Sequence, residues 1–305
     1  MMSILGDRIL PQRKNSSVRL TKIPAPDFDL AMTLDSGQVF HWERSGEGFI
    51  GPIGDRAVYV QQKGDALFVD GGDDQLVRTY FALDHPLAEI CASFPNDPAM
   101  REAKTFCRGL RIIRQPKWEC LATFICSSMK QVAHIRQISK KLRERFGEAR
   151  EVRDRIVYPF PTAERIAASS ERELRACALG YRAKNLLATA RQVASRDVDL
   201  EKMSILSDVD LRAALSELPG VGAKVANCVM LFGYERLRAF PIDVWIERVL
   251  RERYFPRARR LNVARLRAFT ERYFGAHGGY AQQYLFHHAR MTKRPKRDKV
   301  LALNA

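Results

Sequence analysis

Negative charge is scarce in this chain. Asp and Glu together number 35 against 51 Lys and Arg, so the formal net charge is +16 and the isoelectric point about 9.8. A surface so weighted favours an acidic partner, either nucleic acid or an anionic membrane; a basic protein with no polyanion partner is the alternative. Long apolar runs are absent too. Nothing approaches the roughly 18 consecutive apolar residues of a spanning helix, so no membrane association of that kind is expected. The N-terminal MMSILGDRILPQRKNSS is broken by Gly6, Asp7 and Arg8 and lacks the continuous apolar stretch of a secretory signal, which points to an intracellular, cytoplasmic protein. Cysteines are few: Cys91, Cys107, Cys120, Cys126, Cys177 and Cys228. None forms a CxxC pair, which argues against a zinc ribbon, and in a reducing compartment they should be free thiols. There is no internal repeat and no low-complexity block.

What is present reads as a globular chain. Apolar residues make up 46% and charged residues 28%, and the length suits about two domains. Residues 1–19 are polar and basic without periodicity and read as a flexible tail. Between 20 and 97 the pattern is that of short strands. Apolar residues alternate in Ala57-Val58-Tyr59-Val60 and Ala66-Leu67-Phe68-Val69, with glycines between them, which predicts an antiparallel β-rich domain. From about 98 to 291 the periodicity is helical, as in 119–130, 133–146 and 171–195, with Gly147 and Gly180 placed as helix ends or breaks. Residues 292–305 carry five basic side chains and read as a basic disordered tail. The fold class is therefore α+β, a sheet domain followed by an all-helical one.

The stretch 208–232 is the most informative. One amphipathic helix ends near Glu217 and a second starts near Ala223, joined by Leu218-Pro219-Gly220-Val221-Gly222. Glycines permit a tight turn and close approach of a phosphate, and the N–H groups opening the second helix would face that phosphate, aided by the helix dipole. This is a helix-hairpin-helix, which grips the DNA backbone without reading sequence; an ordinary helix pair in a core is the bland alternative. Lys224 follows at once, and many non-catalytic hairpins use such a lysine for phosphate contact. Asp243, 19 residues later, opens the segment Val244-Trp245-Ile246 as its N-cap; backbone N–H groups at a cap hold a carboxylate ionised.

With Lys224 and Asp243 at this spacing, the chain resembles the helix-hairpin-helix DNA glycosylases with a Gly/Pro-rich loop and an aspartate, on the branch that is also a lyase. No cysteine follows Cys228, so the four-cysteine iron–sulfur cluster of the endonuclease III type is not expected. Three further segments resemble 8-oxoguanine DNA glycosylases: Ser36-Gly37-Gln38-Val39-Phe40-His41-Trp42, then Phe124-Ile125-Cys126-Ser127-Ser128 with Leu179-Gly180-Tyr181-Arg182-Ala183, and Tyr280-Ala281-Gln282-Gln283-Tyr284-Leu285-Phe286. The resemblance runs from about 25 to 290 in the family's order.

That resemblance implies roles. The Gly37 carbonyl would accept from N7–H, which 8-oxoguanine has and guanine lacks. Phe286 would stack on the extruded base, Gln282 would bond its Watson–Crick edge, and Cys228 would face its other side. Tyr181 would wedge the vacated stack and Arg182 would donate to the widowed cytosine; core packing for the one and a phosphate contact for the other are the alternatives. The chain also departs from the better-known family pattern. Met129 replaces the asparagine that fills the gap, and His134 an arginine that bonds cytosine; both changes predict weaker discrimination of the opposite base, retained in part through Arg182. Trp245 replaces a histidine and Ala289 its aspartate partner, which puts a phosphate contact at that position in doubt. The family often holds a monovalent cation on hairpin carbonyls near Gly220 and Gly222; no other metal or cofactor is implied.

The expected chemistry follows. The helix end and partial burial favour a neutral Lys224 amine, which would attack C1′ of a flipped nucleotide; Asp243 would stabilise the developing positive charge, and a Schiff base and β-elimination would follow. The expected partner is double-stranded DNA containing an oxidised purine, with the protein a monomer associated with the nucleoid. Arg251, Arg253, Arg257, Arg259 and Arg260 would add salt-sensitive affinity, or simply form a solvated face. Two alternatives stay open: an alkylpurine glycosylase on the same scaffold, and a non-catalytic DNA-binding protein that kept the hairpin.

Overall fold

The computed structural model of the protein describes residues 20–128, 131–258 and 260–292. The expected tails, apart from Thr292, and also Met129 and Arg259, lie outside the described residues. Five antiparallel strands form one sheet: β1 (Thr21–Pro24), β2 (Glu43–Ser45), β3 (Gly48–Ile53), β4 (Arg56–Lys63) and β5 (Ala66–Asp70), in spatial order β1-β5-β4-β3-β2. Side chains alternate between faces, so register decides what is buried. With Val60 opposite Val69, Val58, Val60, Leu67 and Val69 share one core with Ile23, Phe28 and Phe81. Ala57 and Tyr59 point the other way and pack with Ile50 and Val152.

Helices α1 (Leu30–Asp35) and α2 (Asp74–Tyr80) interrupt the region read as pure sheet. Both begin at aspartate caps: Asp29 accepts from Met32 N at 2.8 Å and Asp73 from Leu76 N at 2.7 Å. At six and seven residues they are too short to show a helical period against the alternating background. Then come α3 (Leu87–Ala92), α4 (Pro98–Phe106), α5 (Lys117–Ser127) and α6 (Val132–Phe146). A second correction lies within the span read as all-helical, where β6 (Arg150–Val152) and β7 (Arg155–Val157) pair as a hairpin. Its turn residues Arg153 and Asp154 have φ of 50° and 58° and include no glycine or proline to signal the reversal.

The remaining helices are α7 (Ala163–Ala167), α8 (Glu171–Leu174), α9 (Arg182–Ala194), α10 (Asp208–Ser216), α11 (Ala223–Gly233), α12 (Val244–Val249), α13 (Val263–Tyr273) and α14 (Gly278–Thr292). The span read as helical over 171–195 is divided between α8 and α9 by a π-helical turn at Arg175–Leu179 and by Gly180. Helices α5 and α11 are sheathed on nearly all sides, and Phe124 of one stacks on Phe232 of the other, with centroids 5.5 Å apart. Each fully buried aliphatic or aromatic side chain contributes roughly 1.5–3 kcal/mol, so these two helices form the rigid centre of the helical region.

Sheet and helices are joined by a buried charge cluster. Glu119 of α5 pairs with Arg143 of α6 at 2.5 Å and meets His41, beyond α1, at 3.3 Å. Arg143 also donates to Ser139 Oγ at 3.2 Å and to Tyr158 O at 3.2 Å. Breaking a buried pair leaves one charge uncompensated and costs about 3–5 kcal/mol. Glu119→Gln is therefore expected to lower the unfolding free energy by that order in urea titration; a loss no larger than that of an exposed pair such as Lys140–Glu43 would refute this account.

Candidate active site

The hairpin is built as its residues require. Helix α10 ends at Glu217, and the chain turns through Pro219 and Gly220 before Gly222 caps α11. Gly220 has a φ of +82°, and a Cβ there would lie 2.8 Å from the Cβ of Asn185 on α9; no side chain fits. Thr189 of α9 fixes the turn by donating to Pro219 O at 2.9 Å. Gly222 is exposed, with no atom near the position a Cβ would take, so the N-terminus of α11 opens to solvent where a phosphate can reach it.

Lys224 stands in the first turn of α11. Its Nζ lies 3.4 Å from Ser127 Oγ and 5.1 Å from the centre of the Phe124 ring, both on α5. Cys228 is one turn further along and buried; burial pushes its thiol up, with the Lys224 ammonium beside it opposing the shift. Asp243 caps α12, accepting from Ile246 N at 2.8 Å. Burial pushes its carboxyl above the ordinary value, against the Ile246 N–H and then Lys224. Sequence reasoning expected the cap to hold this carboxylate ionised; in the structure the loss of hydration outweighs the cap. The side chains of Lys224, Asp243 and Cys228 thus come together at one end of α11.

A second group converges from α1 and α14. Gly37 follows α1 with a φ of +86°, and a Cβ would sit 3.1 Å from Phe286 Cε1. Phe286 and Gln282 lie one turn apart on α14. Gln282 is buried, and its Oε1 has no hydrogen-bond partner among the described residues. Such an acceptor costs about 1–3 kcal/mol when left unmade. Neighbouring side chains hold the loop: Gln283 Nε2 donates to Ser36 O at 3.0 Å, and Arg290 donates to Asp35 O while its guanidinium lies 5.8 Å from the Phe286 ring centre.

Around the hairpin, Tyr181 is 55% exposed at the start of α9, with the Arg182 guanidinium 4.3 Å from its ring centre. Arg182 is buried. Its Nε donates to Ser128 O at 2.7 Å and its NH1 to Leu179 O at 3.2 Å, so it ties the end of α5 to the wedge loop. His134 is exposed in the first turn of α6, and Trp245 lies half-buried under Arg248, 5.5 Å from ring to guanidinium. Sequence reading gave no role to Ser127, Phe124 or Arg290. The first two lay inside a quoted motif; Arg290 carried no signal, because its place beside Gly37 is set only by packing.

Comparison with known proteins agrees with this geometry. Residues 20–121 match the model for the 8-oxoguanine DNA glycosylase N-terminal domain, and residues 122–271 that for HhH-GPD superfamily base excision DNA repair proteins. The chain is 28% identical to a probable N-glycosylase/DNA lyase of Methanothermobacter thermautotrophicus, covering 89% of this chain and 96% of that one. Among solved structures it resembles MBOgg1 in complex with a low-affinity DNA ligand, with TM-score 0.87, 31% identity, and coverage of 92% of this chain and 98% of that one. It also resembles the Clostridium acetobutylicum 8-oxoguanine glycosylase/lyase bound to double-stranded DNA with cytosine opposite 8-oxoG, with TM-score 0.84, 29% identity, and coverage of 90% and 99%.

Gly37→Ala should expose the local constraint. A left-handed φ costs an L-residue roughly 1–2 kcal/mol, and the added methyl also presses on Phe286. Thermal unfolding should show that loss, whereas Gly222→Ala, with an ordinary φ and open space, should cost less; equal effects would contradict the assignment.

Proposed function

The chain belongs to the 8-oxoguanine DNA glycosylase family, within the helix-hairpin-helix superfamily of base-excision repair proteins, and on that premise we propose how its own residues remove 8-oxoguanine from duplex DNA and cut the strand. The reaction is that of an N-glycosylase/DNA lyase. The observation that carries the assignment of roles is the meeting of Lys224 and Asp243 at the exposed end of a helix that is otherwise buried.

The target nucleotide leaves the stack, at a cost of a few kcal/mol, with Tyr181 filling the gap and the α11 N-terminus holding a phosphate. The base enters between Phe286 and Cys228. Gln282 Oε1 accepts from its Watson–Crick edge, which satisfies an acceptor the free protein leaves bare. The Gly37 carbonyl accepts from N7–H; guanine would present a lone pair there, and two acceptors repel. The neutral Lys224 amine then attacks C1′ as the bond to the base breaks, and the base departs with the bonding electrons. Asp243 stabilises the positive charge growing on the sugar. Nζ passes a proton to the departing base anion, and the ring C1′–O4′ bond then opens, O4′ taking up a proton from solvent, to give a Schiff base. Removal of a C2′ proton expels the 3′ phosphate by β-elimination. The protein needs no redox partner for these steps.

Arg182 bears on the opposite base. Its guanidinium is already bonded to Ser128 O and Leu179 O, so its service to a widowed cytosine is limited. Each lost bidentate contact removes about 1–3 kcal/mol of discrimination. Excision rates opposite the four bases are therefore expected to differ by about tenfold or less in single-turnover assays; a spread of several hundredfold favouring cytosine would overturn this.

Borohydride trapping on a duplex with 8-oxoguanine opposite cytosine tests the chemistry. Wild type should give a covalent complex and Lys224→Gln none. Base release without an adduct in wild type would show that Lys224 is not the nucleophile. The reaction should also lose rate on the acid side as Asp243 takes up a proton, at a pH above the ordinary aspartate range because burial raises its pKa. Asp243→Asn should be slow throughout and lack that limb.

A further inference from the structure

Lys224 touches Cys228 on its own helix and also one turn of α5. Ser127, the last residue of α5, is buried, and its hydroxyl donates to Phe124 O at 2.8 Å. With that proton committed, the oxygen can only accept from Lys224 Nζ, 3.4 Å away. The ring of Phe124 lies under the same amine at 5.1 Å and is itself pinned by its stack on Phe232. The next residue, Ser128, offers its carbonyl to Arg182 Nε at 2.7 Å, and the Arg182 guanidinium lies 4.3 Å from the ring centre of exposed Tyr181. A short chain of contacts thus runs from the residue that meets the duplex to the amine that meets the sugar.

We propose that Ser127 is a positioning residue for Lys224: its hydroxyl fixes where the amine sits, and Arg182, gripping the next carbonyl, fixes Ser127 relative to the wedge loop. This rests on the reading of Lys224 as the nucleophile. A lysine carries several rotatable bonds, and an attacking nitrogen must lie on the line to C1′; reaction rates are sensitive to small displacements of such a group. The competing explanation is that the Ser127 hydroxyl merely satisfies a carbonyl at the end of α5. That would affect stability but not the partition between binding and rate.

The test uses the full chain and two duplexes, one with 8-oxoguanine and one with a tetrahydrofuran abasic analogue that offers no leaving base. Ser127→Ala and Ser127→Cys remove the good acceptor; Ser127→Thr keeps it. Loss of one such contact should slow single-turnover base release and adduct trapping about tenfold in the Ala and Cys variants, while affinity for the analogue is unchanged and the Thr variant recovers most of the rate. Equal rates for Ala and wild type would overturn the proposal, as would a rate loss matched by lost affinity, or a Thr variant as slow as Ala. Should the Ala variant not fold, the Cys and Thr variants decide, since both fill the site and only one keeps the acceptor: equal rates there are a refutation. Wild type that traps normally beside an equally fast Ala variant defeats the role of Ser127 alone. Wild type that never traps defeats the nucleophile reading and this proposal with it.

Discussion

The structure depends on one buried amide. The Gln38 side chain donates to Arg111 O at 2.8 Å, Ser36 Oγ at 3.0 Å and Thr33 O at 3.2 Å, and accepts from Ile113 N at 2.7 Å. Its own carbonyl accepts from Gln115 Nε2 at 2.7 Å. The segment 110–115 is thereby fastened to the loop that carries Gly37. The same segment reaches onward: Arg114 N donates to Tyr80 O at 2.9 Å, and Gln115 N to Phe232 O, at the far end of α11, at 2.8 Å. This extended strip, largely buried and tied by these bonds to both sides, runs between a glycine in the sheet region and a lysine on the hairpin helix and helps to set their relation. Bonds of this kind add modestly to net stability, but leaving any of these groups unmade is costly, so the register has little freedom.

Against that rigid frame the site keeps its strain local. Gln282 Oε1 has no hydrogen-bond partner among the described residues, burial pushes the Asp243 carboxyl above its ordinary value, and Gly37 takes a left-handed φ that glycine adopts readily and other residues do not. The stack of Phe124 on Phe232 and the buried pair of Glu119 with Arg143 hold the surrounding helices firmly enough for these unsatisfied groups to persist.

The placement of Arg182 shows how tertiary context redirects a residue. The family resemblance of Leu179-Gly180-Tyr181-Arg182-Ala183 implies that Arg182 donates to the widowed cytosine, with a phosphate contact as the alternative. Folded, Arg182 is enclosed between the end of α5 and the π-helical turn before Gly180, where the carbonyls of Ser128 and Leu179 accept from it. Its charge serves internal geometry, bracing the loop that carries the exposed Tyr181.

What the sequence determined by itself was local and periodic. Alternation in 57–60 and 66–69 specified strands, the Leu-Pro-Gly-Val-Gly joint specified the hairpin, and Lys224 with Asp243 specified the class of chemistry, because each signal depends on residues near one another along the chain. Helices α1 and α2 and the β6–β7 hairpin escaped notice, being too short for a period or lacking turn glycines. Only the tertiary structure decided that Ser127 lies against Lys224, that Gln282 Oε1 has no hydrogen-bond partner among the described residues, that Arg290 braces the Gly37 loop and that burial outweighs the cap at Asp243. Those outcomes depend on contacts between segments far apart in sequence and on the exclusion of water, and neither is a property of any single stretch of residues.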